Sequence, residues 1–223
     1  MGYLQKIFKL FGHNHTYFTF PRVYSEMMVT NPLDCLYEIP TCLVIATYRI
    51  EQLLPHKGVY RVNGNAGDVQ LLKQQMENND FKALQKCHNI NTIASAIKLY
   101  IRELTQPLMS TGLAMNLVQI VKNLNFEGKH NEVAKLIKSE MSYGNMKILK
   151  YLLEHLNKIT MEPECKMDAK NLGICWSSNI IHQGRKLTSR RRKQDSMLRE
   201  TGSYNLVIAW LIKEIKHLNL NSD

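Results

Sequence analysis

Apolar positions recur at three- and four-residue steps along most of this chain, with no alternating series of the strand type. The cleanest stretch is 146–159, where Ile148, Leu149, Leu152, Leu153, Leu156 and Ile159 keep a 3.6-residue rhythm. Leu206, Val207, Trp210, Leu211, Ile215 and Leu218 keep the same rhythm across 203–218. Similar stripes run through 39–54, 66–78, 92–104, 111–124, 131–142 and 168–181. Such spacing gathers apolar side chains on one helix face, which must then be buried. Asn65 and Ser110 stand where they can cap the helices that follow them, and Pro107 stops the 92–104 stripe. There is no internal repeat. The pattern predicts an all-α fold, a single-domain helical bundle of about eight to nine helices.

The length of 223 residues suits one sizeable core and is short for two. The expected division is an N-terminal extension over 1–30 and one domain over 31–220. Within the extension, Leu4, Ile7, Phe8 and Phe11 form a short stripe broken by Lys6 and Lys9. That is not a convincing signal peptide, and a short stripe with two lysines favours docking on the domain over docking on lipid. Lys6 also breaks the myristoylation pattern that would begin at Gly2. Apolar content is 44%, yet no apolar run approaches the roughly eighteen residues of a membrane span. Cys35, Cys42, Cys87, Cys165 and Cys175 are odd in number and scattered, without C-x-x-C. This favours reduced thiols and a cytoplasmic setting over a disulfide or zinc framework.

Three segments carry the candidate chemistry. In Gly58-Val59-Tyr60-Arg61-Val62-Asn63-Gly64, one arginine stands on a short loop bounded by glycines. Glycine tolerates φ > 0, and the apolar Val59, Tyr60 and Val62 can pin the loop to a core. Arg61 is then left to point outward, with a planar fork of donors suited to phosphate oxygens. In the segment 93–108, Ala94, Ile97, Ile101, Leu104 and Leu108 form a core-facing stripe. Lys98 and Arg102 stack four residues apart on another face. Two like charges so placed repel by about 0.2–0.5 kcal/mol unless an anion or acceptor lies between them. In 166–181, Leu172, Cys175, Trp176 and Ile180 fit a buried helix, and Asn171 sits near its start to cap, brace a loop or face a partner.

In order and spacing these segments resemble the RhoGAP domain, the GTPase-activating module for Rho-family small GTPases. The first is similar to the family's arginine-finger loop, G-[IVF]-[FY]-R-[VL]-x-G. The second resembles its L-K-x-[FY]-[LIF]-R-E-L-P-x-P-L helix, and the third its N-L-A-x-x-[FW]-x-P helix. Thr105, Gly173 and Ser178 depart from the family's usual Pro, Ala and Pro. The resemblance implies that Arg61 is the catalytic finger. It also implies that Lys98, Arg102 and Asn171 line the groove, brace the finger loop and contact the GTPase, with Asn179 a weaker candidate for the same surface. The implied partner is a Rho-family GTPase of Rho, Rac or Cdc42 type in its GTP-bound state. No cofactor of the chain's own is implied, because GTP and Mg²⁺ are carried by that partner. The alternatives are a catalytically weak module of the same fold that sequesters the GTP-bound GTPase, and a helical scaffold without a GTPase.

Charge and absent motifs narrow this further. The net charge of +10 draws much of its excess from Arg185, Lys186, Arg190, Arg191, Arg192 and Lys193, six cations in nine residues. They form a solvated loop, or else a patch steering encounter with an acidic partner or an anionic membrane. Membrane-peripheral placement is therefore the alternative to a purely cytoplasmic one. Nucleic acid is the weakest reading, since no aromatics are interleaved and no base-reading motif is present. No G-x-x-x-x-G-K-[ST] loop occurs, so the expected role is activation of another protein's hydrolysis. The eight histidines show no zinc-type spacing, and no nucleophile motif appears.

Overall fold

The structure is a computed structural model, which describes residues 39–104, 106–123, 128–181 and 194–220, with side chains from 202 onward in the last segment. Nine α-helices follow one another in these residues. They are α1 (Thr41–Gln52), α2 (Ala66–Glu77), α3 (Phe81–Lys86), α4 (Ile90–Arg102), α5 (Thr111–Lys122), α6 (Lys129–Glu140), α7 (Tyr143–Thr160), α8 (Ala169–Ile180) and α9 (Gln194–Glu214). Short 3₁₀ turns lie at Pro163–Cys165 and Ile215–His217. Among the described residues β pairing is confined to an isolated parallel bridge between Met109 and Ile181. The all-α bundle matches the expectation from periodicity.

The predicted starts hold at atomic level. Asn65 accepts from the backbone N–H groups of Gly67 and Asp68, and Ser110 accepts from that of Leu113. Helix α3 escapes a periodicity search because six residues are too short for one, although Asp80 caps it. Helix α9 begins nine residues before the 203–218 stripe.

One continuous core joins all the elements. Every stripe residue of α7 named above is fully buried. Helix α4 is buried around most of its circumference, since Ile93, Ala94, Ala96, Ile97 and Ile101 are all sealed from solvent. Leu206 departs from its stripe and is 45% exposed. Helices α8 and α9 approach closely, and Gly173 makes it possible. A Cβ there would lie 2.5 Å from the Asn205 carbonyl oxygen and 3.0 Å from the Ala209 Cβ. The family's usual alanine would force these helices apart, so this departure is tied to how α8 and α9 pack. Ser177 and Asn205 hydrogen-bond across the same seam.

Candidate functional site

The 58–64 loop joins α1 to α2 and lies against α4, α7 and α8. Gly58 opens it with φ +76°, and its N–H donates to the Cys165 carbonyl at 2.8 Å. Arg61 and Val62 donate back to the Gly58 carbonyl at 2.9 and 3.0 Å, which closes a tight turn. The second unusual backbone is Tyr60, with φ +69°. Gly64 contributes close approach rather than a left-handed φ. A Cβ there would sit 2.6 Å from the Thr92 Cα, so only hydrogen lets the loop rest on α4. The Gly64 N–H donates to Ser95 Oγ at 3.1 Å.

Val59 and Tyr60 are fully buried, as the pattern predicts, whereas Val62 is 46% exposed and pins nothing. The Tyr60 ring meets Trp176 of α8 edge-on, with centroids 5.0 Å apart. Its hydroxyl lies 2.9 Å from His155 Nε2 on α7. His155 Nδ1 in turn lies 2.8 Å from Glu51 Oε1 on α1, and Lys158 meets the same carboxylate at 3.2 Å. Burial lowers the His155 pKa below its ordinary value despite the carboxylate beside it. Burial pushes the Glu51 carboxyl up, but the His155 and Lys158 contacts outweigh that and hold it below its ordinary value.

Arg61 is exposed, and its side chain makes no hydrogen bond or ion pair to a described residue. Its guanidinium passes over Gly58, where a Cβ would lie 3.4 Å from Nη2. Lys98 has acceptors on the loop itself. It is half-buried, donating from Nζ to the Tyr60 carbonyl at 2.7 Å and to Asn63 Oδ1 at 3.4 Å. Burial lowers its pKa, Cys175 acts in the opposite sense, and Arg102 one turn along lowers it further. Burial raises the Cys175 thiol, while the nearby Lys98 and Arg61 charges oppose that rise. Thus α4 and α8 bring Lys98, Arg102 and Cys175 to the side of the Arg61 loop.

The two asparagines separate. Asn171 is half-buried in the first turn of α8, where Asp168 is the cap and accepts from the Asn171 N–H at 2.7 Å. Its side chain makes no hydrogen bond among the described residues. Asn179 corrects the expectation of a surface contact. It is 6% exposed and its Nδ2 donates to the Cys175 carbonyl of its own helix at 2.8 Å. The cations Arg185, Lys186, Arg190, Arg191, Arg192 and Lys193 lie outside the described residues, as do Thr105 and the 1–30 extension. Sequence reading missed Tyr60's backbone, Ser95, His155 and Glu51. The available signal was His155, an ionisable residue inside the most regular apolar stripe, where it needs a partner.

The RhoGAP domain profile matches residues 40–185, about two thirds of the sequence. The chain belongs to the RhoGAP family. Mouse Rho GTPase-activating protein 35 is 30% identical over 130 residues, covering 57% of this chain and 9% of that protein. The WW domain-containing protein tag-325 of Caenorhabditis elegans is 30% identical over 148 residues, covering 66% and 18%. Human Rho GTPase-activating protein 31 is 26% identical over 162 residues, covering 70% and 11%. The chain thus spans less than a fifth of the length of these relatives. The BH domain from GRAF, the GTPase regulator associated with focal adhesion kinase, superposes with a TM-score of 0.66 at 23% identity, covering 81% of this chain and 93% of that one. Human Rho GTPase activating protein 15 gives 0.62 at 21% identity, covering 79% and 82%. These two likenesses establish the RhoGAP fold. Among the described residues no helix is long and apolar enough to cross a membrane.

Proposed function

We propose that this chain accelerates GTP hydrolysis by a Rho-family small GTPase in its GTP-bound state, with Arg61 as the inserted catalytic finger. The carrying observation is a loop anchored on three helices, through its backbone on α4 and through the Tyr60 side chain on α7 and α8, while its one guanidinium has no partner among the described residues. A GTPase is slow where its own site leaves charge on the transferring phosphoryl oxygens poorly stabilised. A cation supplied in trans offsets that deficit and is worth about 10³–10⁵ in rate, or roughly 4–7 kcal/mol. A fork of donors suits three equatorial oxygens better than a point charge, so lysine is a poor substitute at this position.

Lys98 supports the finger from behind by holding the Tyr60 carbonyl. Arg102 and Asn171, whose side chains have no hydrogen-bond partner among the described residues, are the groups offered to the partner's surface. The nucleotide and Mg²⁺ arrive with the GTPase, and this chain adds positioned donors alone.

The test is single-turnover GTP hydrolysis by Rho, Rac and Cdc42-type GTPases, with and without the protein, alongside binding to their GTP-bound forms. Acceleration that Arg61→Ala removes supports the finger. Binding to the GTP form without acceleration makes the chain a sequestering module, and neither binding nor acceleration makes it a scaffold.

A further inference from the structure

Tyr60 is the residue that needs explaining. A bulky L residue avoids left-handed backbone, and such outliers persist where the surroundings over-determine them. Here the surroundings are specific. Trp176 blocks one side of the ring, Lys98 holds the carbonyl, and the hydroxyl ends on a fully buried histidine. A carboxylate can only accept, so His155 Nδ1 carries the proton donated to Glu51. In the neutral imidazole Nε2 then has a lone pair, and the Tyr60 hydroxyl donates to it. Glu51 is therefore what makes His155 an acceptor at the position where Tyr60 needs one. Lys158, which also bonds Glu51, stands at the solvent end of this chain.

We infer that His155 and Glu51 are positioning residues, which act through Tyr60 to hold the loop in the conformation that aims Arg61 at its target. The inference rests on the finger reading given above. Arg61 follows Tyr60 directly, so a change in Tyr60 φ swings the Arg61 Cα and its whole side chain. With the hydroxyl released, the backbone can relax out of the left-handed region and turn the carbonyl away from Lys98. Helices α1 and α7 thereby take part in catalysis although neither touches the nucleotide. The effect belongs in the chemical step and not in affinity, because the contact surface itself is unchanged.

Tyr60→Phe keeps the ring and deletes the hydroxyl. The saturating single-turnover rate should fall by about tenfold, since misplacement of a catalytic group by 1 Å can cost a hundredfold. The protein concentration giving half-maximal rate should stay within about twofold. Glu51→Gln, which removes the charge that orients the imidazole, should lower the rate in the same sense. In an Arg61→Ala background neither change should have any further effect, because nothing is left to aim. A normal saturating rate for Tyr60→Phe overturns the inference. So does an equal loss with Arg61 already absent, which would mark general loosening. If Tyr60→Phe melts below the assay temperature, Glu51→Gln in both backgrounds decides by the same criteria. Full activity of Arg61→Ala itself fails the finger reading, and the inference falls with it.

Discussion

Two glycines do the same steric task in different elements, to different ends. Gly64 lets a loop rest on the backbone of α4, and Gly173 lets α8 rest on α9. At the α8–α9 seam the side chains Ile180, Val207 and Leu211 are sealed in the core, and the link to the loop runs through Trp176. At the loop, buried contacts converge on one residue, Tyr60, whose neighbour is left in solvent. Tight packing in the first case builds stability, and in the second it gives a single exposed guanidinium a fixed origin.

The largest effect that tests this contrast is Arg61→Ala. GTPase acceleration should fall by about 10³-fold or more, with stability within about 0.5 kcal/mol of the wild type. A melting temperature shifted as far as for a core truncation would mean that Arg61 is structural. Next come the glycines. Gly173→Leu should destabilise by about 1–3 kcal/mol through overpacking, with near-normal turnover per folded molecule. Gly64→Ala should lower stability and turnover together. Equal behaviour of the two in both assays would erase the distinction between seam and loop.

Lys98 and Arg102 divide the loop's support from its outward face. Lys98→Met should cost about 1–3 kcal/mol by stranding the Tyr60 carbonyl, and should slow turnover as well. Arg102→Ala should leave melting unchanged and weaken partner binding. Chemical-denaturation midpoints and GTPase titrations read both, and the reverse pattern would exchange their roles.

Acidification should loosen the loop's support before the seam. The unfolded His155 protonates near 6.5, whereas burial keeps the native group neutral to lower pH. Stability should therefore decline as pH falls below about 6.5, because the unfolded state binds more protons. Glu51 adds to this below its ordinary 4.5, since its native carboxyl is held lower. Denaturant midpoints from pH 7 to 4 measure the slope, which should flatten in His155→Gln. An unchanged slope in that variant would remove His155 as the source.

The smallest effect is expected from neutralising Arg190, Arg191 and Arg192 together. Association with an acidic partner or with anionic vesicles should slow at low salt, where screening over about 10 Å has not yet set in. Saturating turnover should not move. Wild-type behaviour of the triple variant in both assays would leave the segment a solvated loop.

The helical architecture was legible in the sequence because the stripes of α1, α2 and α4 to α9 are long enough for a period to show. Arg61 and Lys98 could be picked out because short-range pattern sets them on a loop and on a helix face. The partners of Tyr60 could not, since His155 lies 95 positions away and Glu51 and His155 are 104 apart. Local spacing also misjudged Val62, which stays exposed, and Asn179, which is buried, because exposure is settled by tertiary packing that spacing does not carry.

Lys98 has already lost much of its water in the free protein, and its lowered pKa registers that loss. An ordinary surface lysine sheds its hydration shell only on meeting a partner, and that loss erodes the gain from contact. At Lys98 most of this cost was incurred when the chain folded. What that cost secures is the hold of Lys98 on the Tyr60 carbonyl, kept against the repulsion of Arg102 one turn along. Arg102, still hydrated, would govern how fast the two proteins meet, while Lys98 keeps its ammonium on the Tyr60 carbonyl.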